Sequence, residues 1–184
     1  IEGAHVYITG RRQALLDDAV NEIGHGAVGM QGDVTNAADM TRLYERIQRD
    51  HQRVDVVFAN AGMYEVKPLD AIDDAHFDSI FDINVKGVVL TVQKALPLMT
   101  AGSTIVLNGS IAGSKGLPGQ SLYNASKAAV RSFARSWTND LKQQGIRVNV
   151  VSPGGTETRL IRSYLDAQPA VEDALNKSVP LGRL

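Results

Sequence analysis

Apolar positions along this chain follow two different periods. Short runs dense in Val, Ile, Leu and Phe alternate with longer stretches in which apolar residues recur every three or four positions. Residues 54–59, 103–108 and 147–151 read as buried strands, and a shorter strand is expected around 27–31. Leu15, Leu16, Ala19, Val20 and Ile23 share one helical face, and Gly24 follows as the predicted C-cap. Thr35 is the expected N-cap of a helix that buries Met40, Leu43, Tyr44 and Ile47. Asp73 or Asp74 is expected to start a long helix with Phe77, Ile80, Phe81, Val88, Val92 and Leu96 inward and Pro97 weakening its end. A last helix carries Tyr123 and continues through Val130, Phe133, Trp137 and Leu141. Strand and helix alternate throughout, which predicts an α/β fold with a doubly wound parallel sheet covered on both faces. Residues 1–184 are expected to form a single domain, with no repeat and no linker.

Composition narrows the function. A hydrophobic content of 43% is ample for a core, and a net charge of -1 gives no electrostatic case for nucleic acid. The chain contains no cysteine, which excludes disulfides and thiolate chemistry and fits a cytoplasmic protein. Its four histidines, at 5, 25, 51 and 76, form no ligand spacing, so no metal site is expected. No apolar stretch reaches about 18 residues without charge, so no membrane span is expected.

Tyr123 and Lys127 are four residues apart, just over one helical turn, so their side chains share a face. Lowering a phenol from about 10 to near neutrality needs roughly 4 kcal/mol. One positive charge about 4 Å away supplies that much at an effective dielectric near 20. Alone the pair is weak evidence, because a Tyr packed on a helix beside a solvated Lys is the commoner arrangement. Its context is stronger. Ser110 follows one apolar run, Asn60-Ala61-Gly62 a second, and Ser152-Pro153-Gly154-Gly155 a third. In open parallel sheets, ligands bind outside the carboxyl ends of the strands. Three such ends, each trailed by small or polar residues, make one crevice floor.

Asn60-Ala61-Gly62, Asn84, Ser110, Tyr123-Asn124-Ala125-Ser126-Lys127 and Pro153-Gly154 resemble, in order and spacing, the short-chain dehydrogenase/reductase family in its single-domain form. The resemblance covers the whole chain and implies a Rossmann-type fold. It also implies that Tyr123 is the general acid/base at the substrate oxygen. Lys127 would lower its pKa and bind the nicotinamide ribose, Ser110 would hold the substrate oxygen, and Asn84 would anchor a water in a proton relay. Ser110 as a simple turn cap, and Asn84 as a residue that only satisfies backbone groups, are the bland alternatives. Asn124 and Ser126 are expected to face solvent, neighbouring loops or helix backbone. The family's glycine-rich strand–turn–helix is not found. The start of the chain resembles the end of the family's first helix and then its second strand. The sheet is therefore expected to divide, and the sequence to be an internal portion of a chain of about 240–260 residues.

The resemblance also assigns the cofactor contacts. Gly10 falls where NAD-preferring relatives carry Asp, and Arg11 and Arg12 follow, with Arg suited to a phosphate. NADP(H) is therefore expected, with NAD(H) as the alternative if both arginines are merely solvated. Asp33 would meet the adenine amino group and Val34 the ring. Asn60, Ala61 and Gly62 would line the adenosine ribose. Pro153, Gly154, Thr156 and Thr158 would hold the nicotinamide end. Substrate contacts are expected from the loops after Ser110 and Asn60. A lid over residues 157–177 would add Leu160, Ile161, Tyr164 and Leu165. The substrate is expected to be a small carbonyl or secondary alcohol, such as a 3-oxoacyl thioester, a sugar or a polyol. Packing of the Asn84 and Tyr123 helices against their copies, with Leu98, Phe133 and Trp137 in the contact, would give a homotetramer. A cofactor-binding regulatory or scaffold protein, and an epimerase or dehydratase of the extended branch, are the competing readings.

Overall fold

The computed structural model of the protein describes residues 3–156 together with Thr158, Arg162, Leu165, Asp166, Glu172, Asn176, Lys177, Val179 and Gly182. The chain divides into two compact units, Ile1–Val151 and Ser152–Leu184. In the first, strands and helices alternate as the pattern predicts: β1 (Tyr7–Gly10), α1 (Gln13–Ile23), β2 (Val28–Gln31), α2 (Ala37–His51), β3 (Val56–Ala59), α3 (Asp74–Phe81), α4 (Gly87–Ala95), β4 (Thr104–Asn108), α5 (Ser121–Leu141) and β5 (Arg147–Val151). All strand pairings are parallel. β1 pairs with β2, and β3–β4–β5 form a separate sheet, so the sheet is divided. The architecture is the Rossmann-type α/β arrangement.

The core lies against one face of β3–β4–β5. Val57, Ala59, Ile105, Leu107 and Val148 are buried there with Val88, Val92 and Ala95 of α4 and Val130, Ala134 and Leu141 of α5. All four expected residues of α2 join this cluster. The opposite face carries the exposed Val56, Phe58 and Val151.

Three local expectations need correction. Helix α2 is capped by Asn36, whose Oδ1 accepts from Ala38 N at 2.9 Å and Asp39 N at 3.3 Å. Thr35 is not the cap because its hydroxyl donates to Asp33 Oδ1 at 2.8 Å. The long helix begins after the N-cap Asp73, but α3 and α4 are joined by a π-helical segment, Asp82–Lys86. Phe77 does not turn inward: it is 45% exposed and stacks on Phe81, with ring centroids 4.5 Å apart. Pro97 sits in a short 3-10 turn, Leu96–Leu98, that ends the helix as expected. No helix among the described residues is long and apolar enough to cross a membrane.

Candidate active site

Asn84 organises the site from inside the π segment. A π turn inserts one residue into a helix and is frequent at functional sites. Asn84 is fully buried, so its amide must find partners within the protein. Its Oδ1 accepts from Met63 N at 2.7 Å, and its Nδ2 donates to Met63 O at 2.9 Å and to Ser126 Oγ at 3.0 Å. One side chain thus fixes the loop after β3 to helix α5. Ser126, also fully buried, passes its own hydrogen to Tyr123 O at 2.7 Å. It bonds helix backbone as expected, but it does not face solvent. Asn124 reaches the neighbouring loop, donating to Lys115 O at 3.1 Å.

Helix α5 brings Tyr123 and Lys127 to the ends of β3 and β4. Lys127 is only 5% exposed, and its Nζ donates to Asn108 O at 2.8 Å, at the last residue of β4. Nζ lies 5.8 Å from the centre of the Tyr123 ring. Burial lowers the Lys127 ammonium to about 8. The Tyr123 phenol is half-buried, and burial pushes it above its ordinary value, with the Ser110 side chain pulling the other way. This differs from the expected depression by Lys127. Helical spacing puts both residues on one face, but the ammonium is drawn to the strand carbonyl.

Ser110 stands just past β4 and caps the short turn Ile111–Gly113, its Oγ accepting from Ala112 N at 3.1 Å. Capping uses the oxygen as acceptor and leaves the hydroxyl hydrogen available, so the bland role and the catalytic one are compatible. Gly113 lets this turn approach α5. A Cβ there would fall 2.9 Å from both the carbonyl carbon and the carbonyl oxygen of Lys127. The floor beside Lys127 is kept bare by Gly62, where an added Cβ would stand 3.6 Å from Nζ and 3.5 Å from Asn84 Oδ1. Asn60 sits at the end of β3, its Oδ1 accepting from Asn108 Nδ2 at 2.7 Å. Asn108 is a site residue that sequence reasoning missed. A polar residue closing an apolar strand was the available signal.

The ends of β1 and β2 form a second cluster. Arg11 and Arg12 are exposed after β1, and neither forms an ion pair among the described residues. Gln31 Nε2 donates to Arg11 O at 2.9 Å, tying the two strand ends together. Asp33 N donates to Asp39 Oδ2 at 2.8 Å, and Asp33 Oδ1 also receives Thr35 N at 2.9 Å. Val34 packs on Gly87 of α4, where a Cβ would come within 2.7 Å of it. Pro153, Gly154, Thr156 and Thr158 belong to the second unit, in which Thr156 Oγ1 donates to Gly154 O at 3.3 Å. Leu160, Ile161 and Tyr164 lie outside the described residues, as does most of the expected lid.

The donor set suits a nicotinamide dinucleotide. Lys127 is a buried cation with three hydrogens, one of which is given to Asn108 O. The bare Gly62 beside it admits a ligand close to the backbone.

A family model described as short chain dehydrogenase matches residues 1–169. An oxidoreductase, asL5, of Sarocladium schorii is 44% identical over 91% of this chain and 68% of its own length. A hydroxynaphthalene reductase, arp2, of Aspergillus fumigatus is 32% identical over 79% of this chain, which spans 53% of that relative. Cyclopentanol dehydrogenase of Comamonas sp. is 36% identical over 99% of this chain and 74% of its own length. A crystal structure described as a glucose/ribitol dehydrogenase from Brucella melitensis superposes with a TM-score of 0.91 at 28% identity, covering 98% of this chain and 73% of the other. An NADP active-site complex of Pseudomonas aeruginosa RhlG superposes with a TM-score of 0.87 at 26% identity and the same coverage.

Proposed function

Because the chain belongs to the short-chain dehydrogenase family of oxidoreductases acting on alcohol and carbonyl groups, we propose that it interconverts a ketone and a secondary alcohol with NADP(H). The observation that carries this reading is how these residues are tied at the strand ends: Asn84 bonds Met63 and Ser126, Ser126 bonds the backbone carbonyl of Tyr123, Ser110 faces the Tyr123 phenol, and Lys127 bonds the last carbonyl of β4 at Asn108.

The cofactor supplies or accepts the hydride, and the protein supplies position and the proton. In reduction, the Tyr123 hydroxyl gives its hydrogen to the substrate oxygen; in oxidation, it takes the alcohol proton back. The protonated phenol, the ordinary form of a tyrosine at neutral pH, is the form that reduction needs. Ser110 donates a second hydrogen bond to the same oxygen, where negative charge develops. Lys127 offers its remaining hydrogens to the ribose hydroxyls. Asn84 anchors a water in the proton relay to Lys127, besides holding the loop and α5 in register.

Arg11 and Arg12 supply the 2'-phosphate site, Asp33 the adenine amino contact and Val34 the face of the ring. Asn60, Ala61 and Gly62 line the ribose; in the second unit, Pro153, Gly154, Thr156 and Thr158 are the residues proposed for the nicotinamide end. A relative named for cyclopentanol and another named for hydroxynaphthalene support a cyclic ketone or alcohol as the first reading, and a structural neighbour named for glucose and ribitol supports a sugar as the second. The working assembly is a cytoplasmic homotetramer. The half-buried, stacked Phe133 and Trp137 on α5, with ring centroids 4.8 Å apart, support that assembly. NADPH-dependent reduction of a cyclic ketone, lost in Tyr123→Phe while NADPH still binds, tests the reading. Turnover that survives in Tyr123→Phe overturns it.

A further inference from the structure

Tyr64 has no part in the chemistry above, yet its ring rests on that of Tyr123. The centroids are 5.0 Å apart and the planes meet at 89°, an edge-to-face contact. The backbone on both sides of Tyr64 is fixed. Met63, one residue before it, is held at both its N–H and its C=O by the buried Asn84. Lys67, three residues after it, donates its N–H to Gly119 O at 2.9 Å. That bond ties the loop after β3 to the loop after β4. Gly119 has a φ of +69°, and a Cβ there would come 2.7 Å from Val66 Cγ1, so the two loops meet tightly. Both loops also present exposed apolar side chains, Val66 at 38% and Leu117 at 39%. Both rings are only half-buried. An aromatic ring on such a doubly anchored segment is a fixed wall.

We propose that Tyr64 is a positioning and specificity-determining residue, its ring setting the direction in which Tyr123 presents its hydroxyl and forming the wall on which a cyclic ketone lies. This rests on the reading of Tyr123 as the acid–base. A ring-shaped substrate has a face to lay against Tyr64, whereas a linear aliphatic ketone of equal carbon count has none. Apolar packing on the ring face improves binding of the cyclic substrate selectively, and misplacement of a catalytic oxygen by about 1 Å lowers rate up to about 100-fold.

The test compares wild type, Tyr64→Phe, Tyr64→Ala and Tyr123→Phe. Two readouts are used: NADPH-dependent reduction of cyclohexanone and 2-hexanone, and titration of Tyr123 followed by NMR of tyrosine labelled at Cζ. The titration needs no turnover, and Lys127 and Ser110, the other groups beside the phenol, are unchanged in both Tyr64 variants. Tyr64→Phe keeps the ring and is expected to keep the preference for cyclohexanone over 2-hexanone. Tyr64→Ala opens the phenol to water and is expected to lower its titration midpoint. It should also cut kcat for cyclohexanone by about tenfold and erase the preference over 2-hexanone, with NADPH affinity unchanged. An unshifted Tyr123 midpoint in Tyr64→Ala overturns the inference, as does a Tyr64→Phe variant as impaired as Tyr64→Ala. Turnover that persists in Tyr123→Phe instead overturns the acid–base reading itself.

Discussion

Replacing Lys127 by Met should remove activity and make the folded protein more stable at neutral pH. Lys127 is buried, and burial lowers it from 10.5 to about 8. The folded state therefore binds this proton less readily than the unfolded state. Below about pH 8 the residue is protonated in both states and the destabilisation is fully present. Between about pH 8 and 10.5 the folded form sheds the proton while the unfolded form keeps it, so stability rises through that window. The full effect is about 3 kcal/mol. Met is of similar length and has no charge to desolvate, but it forfeits the hydrogen bond to Asn108 O, worth about 1 kcal/mol. Lys127→Met is then expected to be about 2 kcal/mol more stable at pH 7 and about 1 kcal/mol less stable above pH 10.5. Urea denaturation of both proteins at pH 7 and at pH 10.5 measures this. A Lys127→Met variant that is less stable at pH 7, or a gap that does not change with pH, refutes the reasoning.

Gly113→Ala drives a Cβ into the Lys127 backbone at 2.9 Å, so the Ser110 turn must shift; a loss of about 1–3 kcal/mol in denaturant and a clear fall in kcat are expected. Asn84→Asp cannot donate to Met63 O or Ser126 Oγ and buries a charge, so thermal denaturation should show a loss of roughly 2–4 kcal/mol. An unchanged midpoint would remove Asn84 from its organising place. Arg11→Asp places a like charge against a 2'-phosphate. Steady-state kinetics should show NADPH preference falling by at least about tenfold, with NADH use retained.

The parts of this protein legible in its sequence are those governed by local period. Met40, Leu43, Tyr44 and Ile47 recur at helical spacing, and all four are buried in α2. Even there the cap moved by one residue, because Asp33 captures the Thr35 hydroxyl and leaves Asn36 to close the helix. The π segment was not legible. An inserted residue rotates the helical face by about 100° with no change in residue type to announce it, and its partner, the Met63 backbone, lies 21 residues away. The inward placement of Phe77 failed for a related reason: the periodic face was extended across that insertion, and the ring stacks on Phe81 instead.

Within the site, shared helical spacing put Tyr123 and Lys127 on one face, but not where the ammonium would point. That depended on Asn108 O at the end of a strand distant in sequence. Tyr64 on Tyr123 is likewise a contact between a loop and a helix that no local pattern encodes.

The central claim is that Tyr123 is the proton donor of an NADP(H)-dependent carbonyl reductase. The most direct test is oxidation of NADPH and NADH by the protein, over a panel of cyclic ketones, 3-oxoacyl thioesters and keto-sugars, with Tyr123→Phe alongside. The account predicts turnover that favours NADPH and a cyclic ketone and falls about 100-fold or more in Tyr123→Phe. Equal turnover in wild type and Tyr123→Phe would contradict it, as would tight NADPH binding with no turnover of any ketone.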